Sequence, residues 1–102
     1  MIVHMRIDNR LIHGQVTVTW VSSLGADHLM VVNDEVADDP IQKTMLPMAA
    51  RGVKTSVLSI EDAVRHCKEA LDKEKIMIIA KFPSDALALL EKGIEPKEIN
   101  VG

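Results

Sequence analysis

The chain has 102 residues, of which 47% are hydrophobic and 26% charged, with only five Gly and four Pro, so disordered and collagen-like classes drop out. Twelve basic residues stand against fifteen acidic ones for a net charge of −3, with one Trp, one Phe and no Tyr, which argues against a nucleic-acid binder. The single Cys67 closes no internal disulfide and supplies no Cys-rich zinc site, as expected of a protein of the reducing cytosol. Apolar stretches such as Ile76 to Ala80 fall far short of the roughly 20 residues a spanning helix needs, and Met1 leads into a strand-like segment carrying His4 and Arg6 rather than a signal peptide.

Apolar runs of strand length alternate with segments of helical period from one end to the other. Ile2 to Ile7 reads as the first strand. The first helix places Val16, Trp20, Val21 and Leu24 on one stripe before Gly25 stops it. Leu29 to Val32 is the second strand, and the second helix opens at Pro40 behind an Asp39 cap, repeats Ile41, Met45, Met48 and Ala49, and is expected to bend or shorten at Pro47. Thr55 to Leu58 is the third strand. Ser59, followed three residues later by Asp62, resembles a capping box and opens a third helix that carries Val64, Cys67, Ala70 and Leu71 inward. Ile76 to Ala80 is the fourth strand, Pro83 with Asp85 opens a fourth helix with Leu87 and Leu90 before Gly93, and Ile99 to Val101 is the fifth strand. Strands apolar on both faces suit parallel pairing under helices on either side, so the expected fold is α/β, an open doubly wound parallel sheet. No linker or repeat divides residues 1–102. The last βα unit stands half built at Gly102, so the expectation is one domain that is the N-terminal part of a longer one, truncated at its C-terminal side.

In such sheets ligands sit at the carboxyl ends of the strands, and the turn after Ile7 is the richest in chemistry: Asp8, Asn9, Arg10, Leu11, Ile12, His13, Gly14, Gln15. Gly14 lets backbone approach closely, and the N–H groups and dipole of the following helix favour an anion beside His13. Arg10 can clamp phosphate oxygens, His13 can accept a phosphoryl group, and Asp8 can fix its tautomer. The same residues are also ordinary turn material, and a loop histidine often serves only as a structural hydrogen-bonder. Asn33, Asp34 and Glu35 after the second strand either border the same crevice or merely cap a loop. His4, His28 and His66 have no helical metal-pair spacing and read as structural or surface groups, so no metal is expected. The glycines form neither dinucleotide nor P-loop signatures, so no nucleotide cofactor is expected either. The six Met residues read as packing.

The run Arg6-Ile7-Asp8-Asn9-Arg10-Leu11-Ile12-His13-Gly14-Gln15-Val16 resembles the signature of the IIB component of the mannose/fructose/sorbose family of the bacterial phosphoenolpyruvate-dependent sugar phosphotransferase system. Val32 to Ala37, Phe82 to Asp85 and Ile99 to Gly102 match in register, so the resemblance covers the whole chain. It implies an enzyme, a protein-phosphohistidine–sugar phosphotransferase. Its histidine, here His13, accepts a phosphoryl group on Nδ1 from a phospho-IIA partner. It then passes the group to a sugar, a hexose or amino sugar, bound by the membrane IIC/IID complex. The resemblance implies that Arg10 stabilises the phosphate and that Asp8, Asn33 and Asp34 border the pocket, with Asn9, Gly14 and Gln15 completing its phosphate-binding side. Such a protein works in the cytoplasm and meets the membrane only through IIC/IID. Positioning and charge stabilisation serve the transfer, and no metal is required.

Two departures stand out. Many members carry Asp where this chain has Asn9, and family domains continue past the Asn-Val-Gly element. The Asn33 to Pro40 and Gln15 to Trp20 segments look closer to the N-acetylgalactosamine/galactosamine branch than to the mannose branch. Other phosphotransferase IIB families use a cysteine, but Cys67 lies on a helix away from the His13 loop. A sheet cut at the fifth strand is expected to expose an apolar edge and one uncovered face, and so to be less stable than a longer version or to self-associate as a homo-oligomer. The competing reading is a non-catalytic sensor or regulatory module that binds phosphotransferase proteins. A receiver-like domain phosphorylated on aspartate is disfavoured, because Leu58-Ser59 ends the third strand without one.

Overall fold

A computed structural model describes residues 1–102. Its elements in chain order are β1 (Ile2–Ile7), α1 (Gln15–Leu24), β2 (His28–Val32), α2 (Asp34–Ala37), α3 (Pro40–Ala49), β3 (Lys54–Leu58), α4 (Ile60–Ala70), β4 (Ile76–Ala80), α5 (Pro83–Glu91) and β5 (Ile99–Val101). The five strands form one parallel sheet in the order β3-β2-β4-β1-β5, as the doubly wound reading expects.

Strand order and right-handed crossovers together fix which face each helix covers. The connections from β1 to β2 and from β2 to β3 run toward one edge, so α1, α2 and α3 share a face. Those from β3 to β4 and from β4 to β5 run the other way, so α4 and α5 share the opposite face. The core divides accordingly. Met30, Val32, Ile76, Ile78 and Ala80 pack with Ala63, Val64, Cys67, Ala86 and Leu89. Their strand neighbours Leu29, Val31, Met77 and Ile79 pack with Leu11, Ile12, Val21 and Val36. Central β2 and β4 are buried along their whole length, which is why neither shows a polar alternation. Each fully buried aliphatic side chain there contributes about 1.5–3 kcal/mol.

The departures from expectation lie in the helices. In α1 the buried face is Thr17 and Val21, while Val16 is exposed, because the Thr17 hydroxyl turns inward to accept from His13 N–H at 3.1 Å. Asn33 starts a short helix, α2, where a plain turn was expected, since its Oδ1 accepts from Val36 N–H at 2.9 Å. Pro47 does not shorten α3, which continues to Ala49, and the apolar stripe of that helix faces outward, with Ile41, Met45 and Met48 61–68% exposed. Met45 and Met48 are therefore not core residues. Leu71 lies just beyond α4 with φ 49° and points to solvent. In α5 the buried positions are Ala86 and Leu89 rather than Leu87 and Leu90, because Asp85 turns inward to accept from Asn33.

Neighbouring strands β1 and β4 send their chains in opposite directions, β1 toward β2 and β4 toward β5. Their carboxyl ends therefore flank a topological switch point, where the helices leave on opposite faces and open a crevice. The Asp8 to Gly14 loop leaves β1 at this place.

Candidate functional site

The loop is tied to the sheet at its first residue: Asp8 N–H donates to Ala80 O of β4 at 2.9 Å, and Leu11 N–H folds back onto Asp8 O at 3.1 Å. Leu11 takes φ 59°, a left-handed conformation costing an L-residue about 1–2 kcal/mol, and burial of its side chain and that of Ile12 holds it there. The turn ends at Gly14, whose φ of 65° and ψ of −134° suit a residue without Cβ. No side chain caps α1 and no acidic residue occupies its first turn, so its free N–H groups and positive dipole end stand beside His13.

Asp8 is the hub of the loop. Its Oδ1 accepts from the Arg10 N–H and Arg10 Nε, both at 3.0 Å. Its Oδ2 accepts from Arg10 Nη2 at 3.0 Å, Arg6 Nε at 3.1 Å and His13 Nε2 at 3.3 Å. The hydrogen bonds of the Arg10 guanidinium, helped by its backbone N–H and by Arg6, outweigh burial and hold the Asp8 carboxyl well below the usual carboxylate range. As a fixed anion, Asp8 selects the His13 tautomer protonated on Nε2 and leaves the lone pair on Nδ1. That Nδ1 is buried and has no hydrogen-bond partner, while the imidazole as a whole is 25% exposed. A nitrogen with a free lone pair, held in one orientation just before the uncapped start of α1, is suited to receive an anionic electrophile.

Arg6 is clamped from the other side: its Cζ lies 4.4 Å from the centroid of the Trp20 ring of α1. β5 closes the cluster, with Gly102 N–H donating to Ile7 O at 2.8 Å. A Cβ at Gly102 would sit 2.5 Å from Asp8 Oδ2 and 2.7 Å from Arg6 Nη2, so any larger residue there must displace one of these side chains.

Of the residues singled out by sequence, Asp8, Asn9, Arg10, His13, Gly14 and Gln15 lie together in this loop or at the first residue of α1. Asn9 and Gln15 are exposed, and the Arg10 fork engages Asp8 while its side chain remains 59% exposed. Asn33 and Asp34 stand at the end of β2, with β4 between them and β1, and no hydrogen bond joins them to the Asp8 cluster. Asn33 Nδ2 donates to Asp85 Oδ2 at 2.9 Å, Asp85 Oδ2 also accepts from Phe82 N–H at 3.1 Å, and Asp34 Oδ1 accepts from Ile60 N–H at 2.8 Å. Those bonds brace the turns after β2, β3 and β4 at the same end of the sheet. Sequence reasoning did not single out Arg6, Thr17 or Gly102. A usable signal existed for Arg6, since His4, Arg6 and Asp8 alternate along β1 and so share a face.

The family described as the sorbose subfamily IIB component of the phosphotransferase system matches residues 2–102. The chain belongs to this family. It is 42% identical over 102 residues to the N-acetylgalactosamine-specific phosphotransferase enzyme IIB component 2 of Escherichia coli, covering 99% of this chain and 65% of that protein. The sorbose-specific EIIB component of Klebsiella pneumoniae is 37% identical over 95% of this chain and 60% of its own length. The crystal structure of the N-acetylgalactosamine-specific IIB component 1 from Escherichia coli superposes with TM-score 0.92 at 41% identity, over 100% of this chain and 68% of that one. The chain thus spans about two-thirds or slightly less of the IIB proteins it resembles, and no helix in it is long and apolar enough to cross a membrane.

Proposed function

We propose that this chain acts as a phosphoryl carrier between a phosphorylated IIA protein and an incoming sugar, with His13 as the carrier residue. The observation that supports this most is the paired state of the imidazole, Nε2 anchored on Asp8 and Nδ1 left without a partner. The Nδ1 lone pair attacks the phosphorus of the IIA phosphohistidine, a P–N bond forms on His13, and the partner's imidazole leaves with the old bond's electron pair. In the second step a sugar hydroxyl attacks the same phosphorus and gives its proton to water, the P–N bond breaks with its electron pair returning to Nδ1, and His13 is back in its starting tautomer. Nδ1 is shielded, so the loop opens or the ring turns before the first step. Arg10, more than half exposed, then exchanges one of its bonds to Asp8 for a phosphoryl oxygen, while Arg6 stays behind to balance the Asp8 charge. Gly14 and Gln15 present backbone N–H groups and Asn9 borders the loop. We assign Asn33 and Asp34 to the rim of the same crevice.

The sugar is a hexose or amino sugar delivered by a membrane IIC/IID complex, with the chain working at the cytoplasmic face. Identity of 42% to the N-acetylgalactosamine-specific relatives against 36% to the mannose-specific EIIAB component favours the amino-sugar branch. Incubation with a phosphorylated IIA protein tests the reading. Acid-labile, base-stable phosphate is expected on the wild type and absent from His13→Ala; the same label on that variant overturns it.

A further inference from the structure

At the opposite, amino-terminal end of the sheet lies a second group of titratable side chains that phosphoryl transfer does not use. His28 opens β2, His66 projects from α4, and Glu74 occupies the turn leading into β4. The two oxygens of Glu74 are divided between the imidazoles: Oε1 lies 2.6 Å from His28 Nδ1, and Oε2 lies 3.0 Å from His66 Nε2. One nitrogen from each histidine and one carboxylate oxygen all lie within 4.8 Å of one another. The rings stand edge to face with centroids 5.1 Å apart, and each turns one nitrogen toward the Glu74 carboxylate.

We propose that His28, His66 and Glu74 form a binding site for a divalent transition-metal ion of zinc type. Two imidazole nitrogens and one carboxylate are the donor set of a three-ligand site whose fourth position is left to water. The support behind His28 fits the same reading. Its Nε2 lies 2.7 Å from Ser56 Oγ of β3, a hydrogen bond of the kind that orients a metal-bound imidazole. Without metal, His28 Nδ1–H and His66 Nε2–H donate to Glu74. With metal, each ring carries its proton on the other nitrogen, and His28 Nε2–H donates to Ser56. The exchange is one of tautomers, so neutral rings bind without net proton release. His28 is fully buried and fixed, whereas His66 is one-third exposed and can close the remaining gap to bonding distance. Lys54 Nζ, 3.4 Å from Glu74 Oε1, opposes the ion, but its side chain is 62% exposed and free to swing into solvent.

The test is titration of the untagged protein with Zn²⁺, and with Co²⁺ as a spectroscopic probe, read by calorimetry and absorption. One ion per chain is expected, with a Co²⁺ spectrum of low-coordinate geometry. His66→Ala and Glu74→Gln are expected to weaken binding, and Ser56→Ala to weaken it by about 10- to 100-fold. Lys54→Met is expected to tighten it. His13→Ala leaves it unchanged, which separates this site from the phosphoryl-transfer loop. Because His66 is partly exposed, His66→Ala is expected to keep the native circular dichroism spectrum. Zinc affinity unchanged in both His66→Ala and Glu74→Gln, or an ion lost with His13→Ala instead, overturns the proposal.

Discussion

Each end of the sheet carries a carboxylate that gathers cationic or potentially cationic groups, and the two hubs are built differently. Asp8, at the carboxyl end, is 2% exposed and takes two arginines and one histidine, and the histidine keeps its second nitrogen free. Glu74, at the amino end, is 21% exposed and takes two histidines and a lysine, and the buried histidine has both nitrogens engaged. Arginine partners stay charged at every physiological pH and fix the carboxylate as an anion. Histidine partners can exchange protons and tautomers. One hub orients an imidazole whose second nitrogen has no partner, and the other shares its carboxylate between two imidazoles.

The largest effect is expected from Asp8→Asn. An amide presents an N–H as readily as an oxygen to His13 and removes the charge that Arg6 and Arg10 share. Phosphorylation by a IIA protein should fall on the order of 100-fold or more, the scale of positioning errors, while Glu74→Gln should leave that rate unchanged. Equal losses in the two variants would erase the distinction between the hubs. Next comes Gly102→Ala, whose methyl group cannot share space with Asp8 Oδ2 and Arg6 Nη2. It should lower stability by about 1–3 kcal/mol in denaturant titration and slow phosphorylation together, whereas Gly25→Ala, with open space around its Cβ, should leave the phosphorylation rate intact.

A smaller effect is expected from pH at the other hub. Burial raises the Glu74 carboxyl, but hydrogen bonds from His28 and His66 outweigh it and lower the group from 4.5 to about 2. A group lowered on folding contributes stability that is full above its unfolded value and lost as pH falls through its folded one. The stability advantage of wild type over Glu74→Gln should therefore hold above pH 4.5 and vanish as pH falls to about 2. A difference that is flat across that interval would contradict the hydrogen-bonded geometry. The smallest effect is expected from Arg10→Lys, which keeps the charge but loses the two-pronged contact with Asp8, and should cost about tenfold in phosphorylation rate.

The sheet was legible because β2 and β4 are buried on both faces and so read as uninterrupted apolar runs, and β1, β4 and β5 begin and end where periodicity puts them. The helical faces were less legible. Thr17 and Asp85 turn inward for hydrogen bonds, which shifts the buried stripes of α1 and α5 by a position that hydrophobicity does not register. The outward Ile41, Met45 and Met48 stripe has the same period as a core-facing one, so pattern cannot tell the two apart. At the site, the His13 loop was visible as a contiguous run. Gly102 was not, because it reaches Asp8 only through the pairing of β5 with β1, a contact across most of the chain. The Glu74 hub joins positions 28, 66 and 74 from three elements, and no local spacing announces it.

The most direct measurement is nuclear magnetic resonance of the protein phosphorylated by a IIA partner, with nitrogen-15 in the histidines and phosphorus-31 detection. Coupling of phosphorus to His13 Nδ1 is expected, with Nε2 still carrying its proton beside Asp8. Phosphorus on Nε2, or on any residue other than His13, would contradict it.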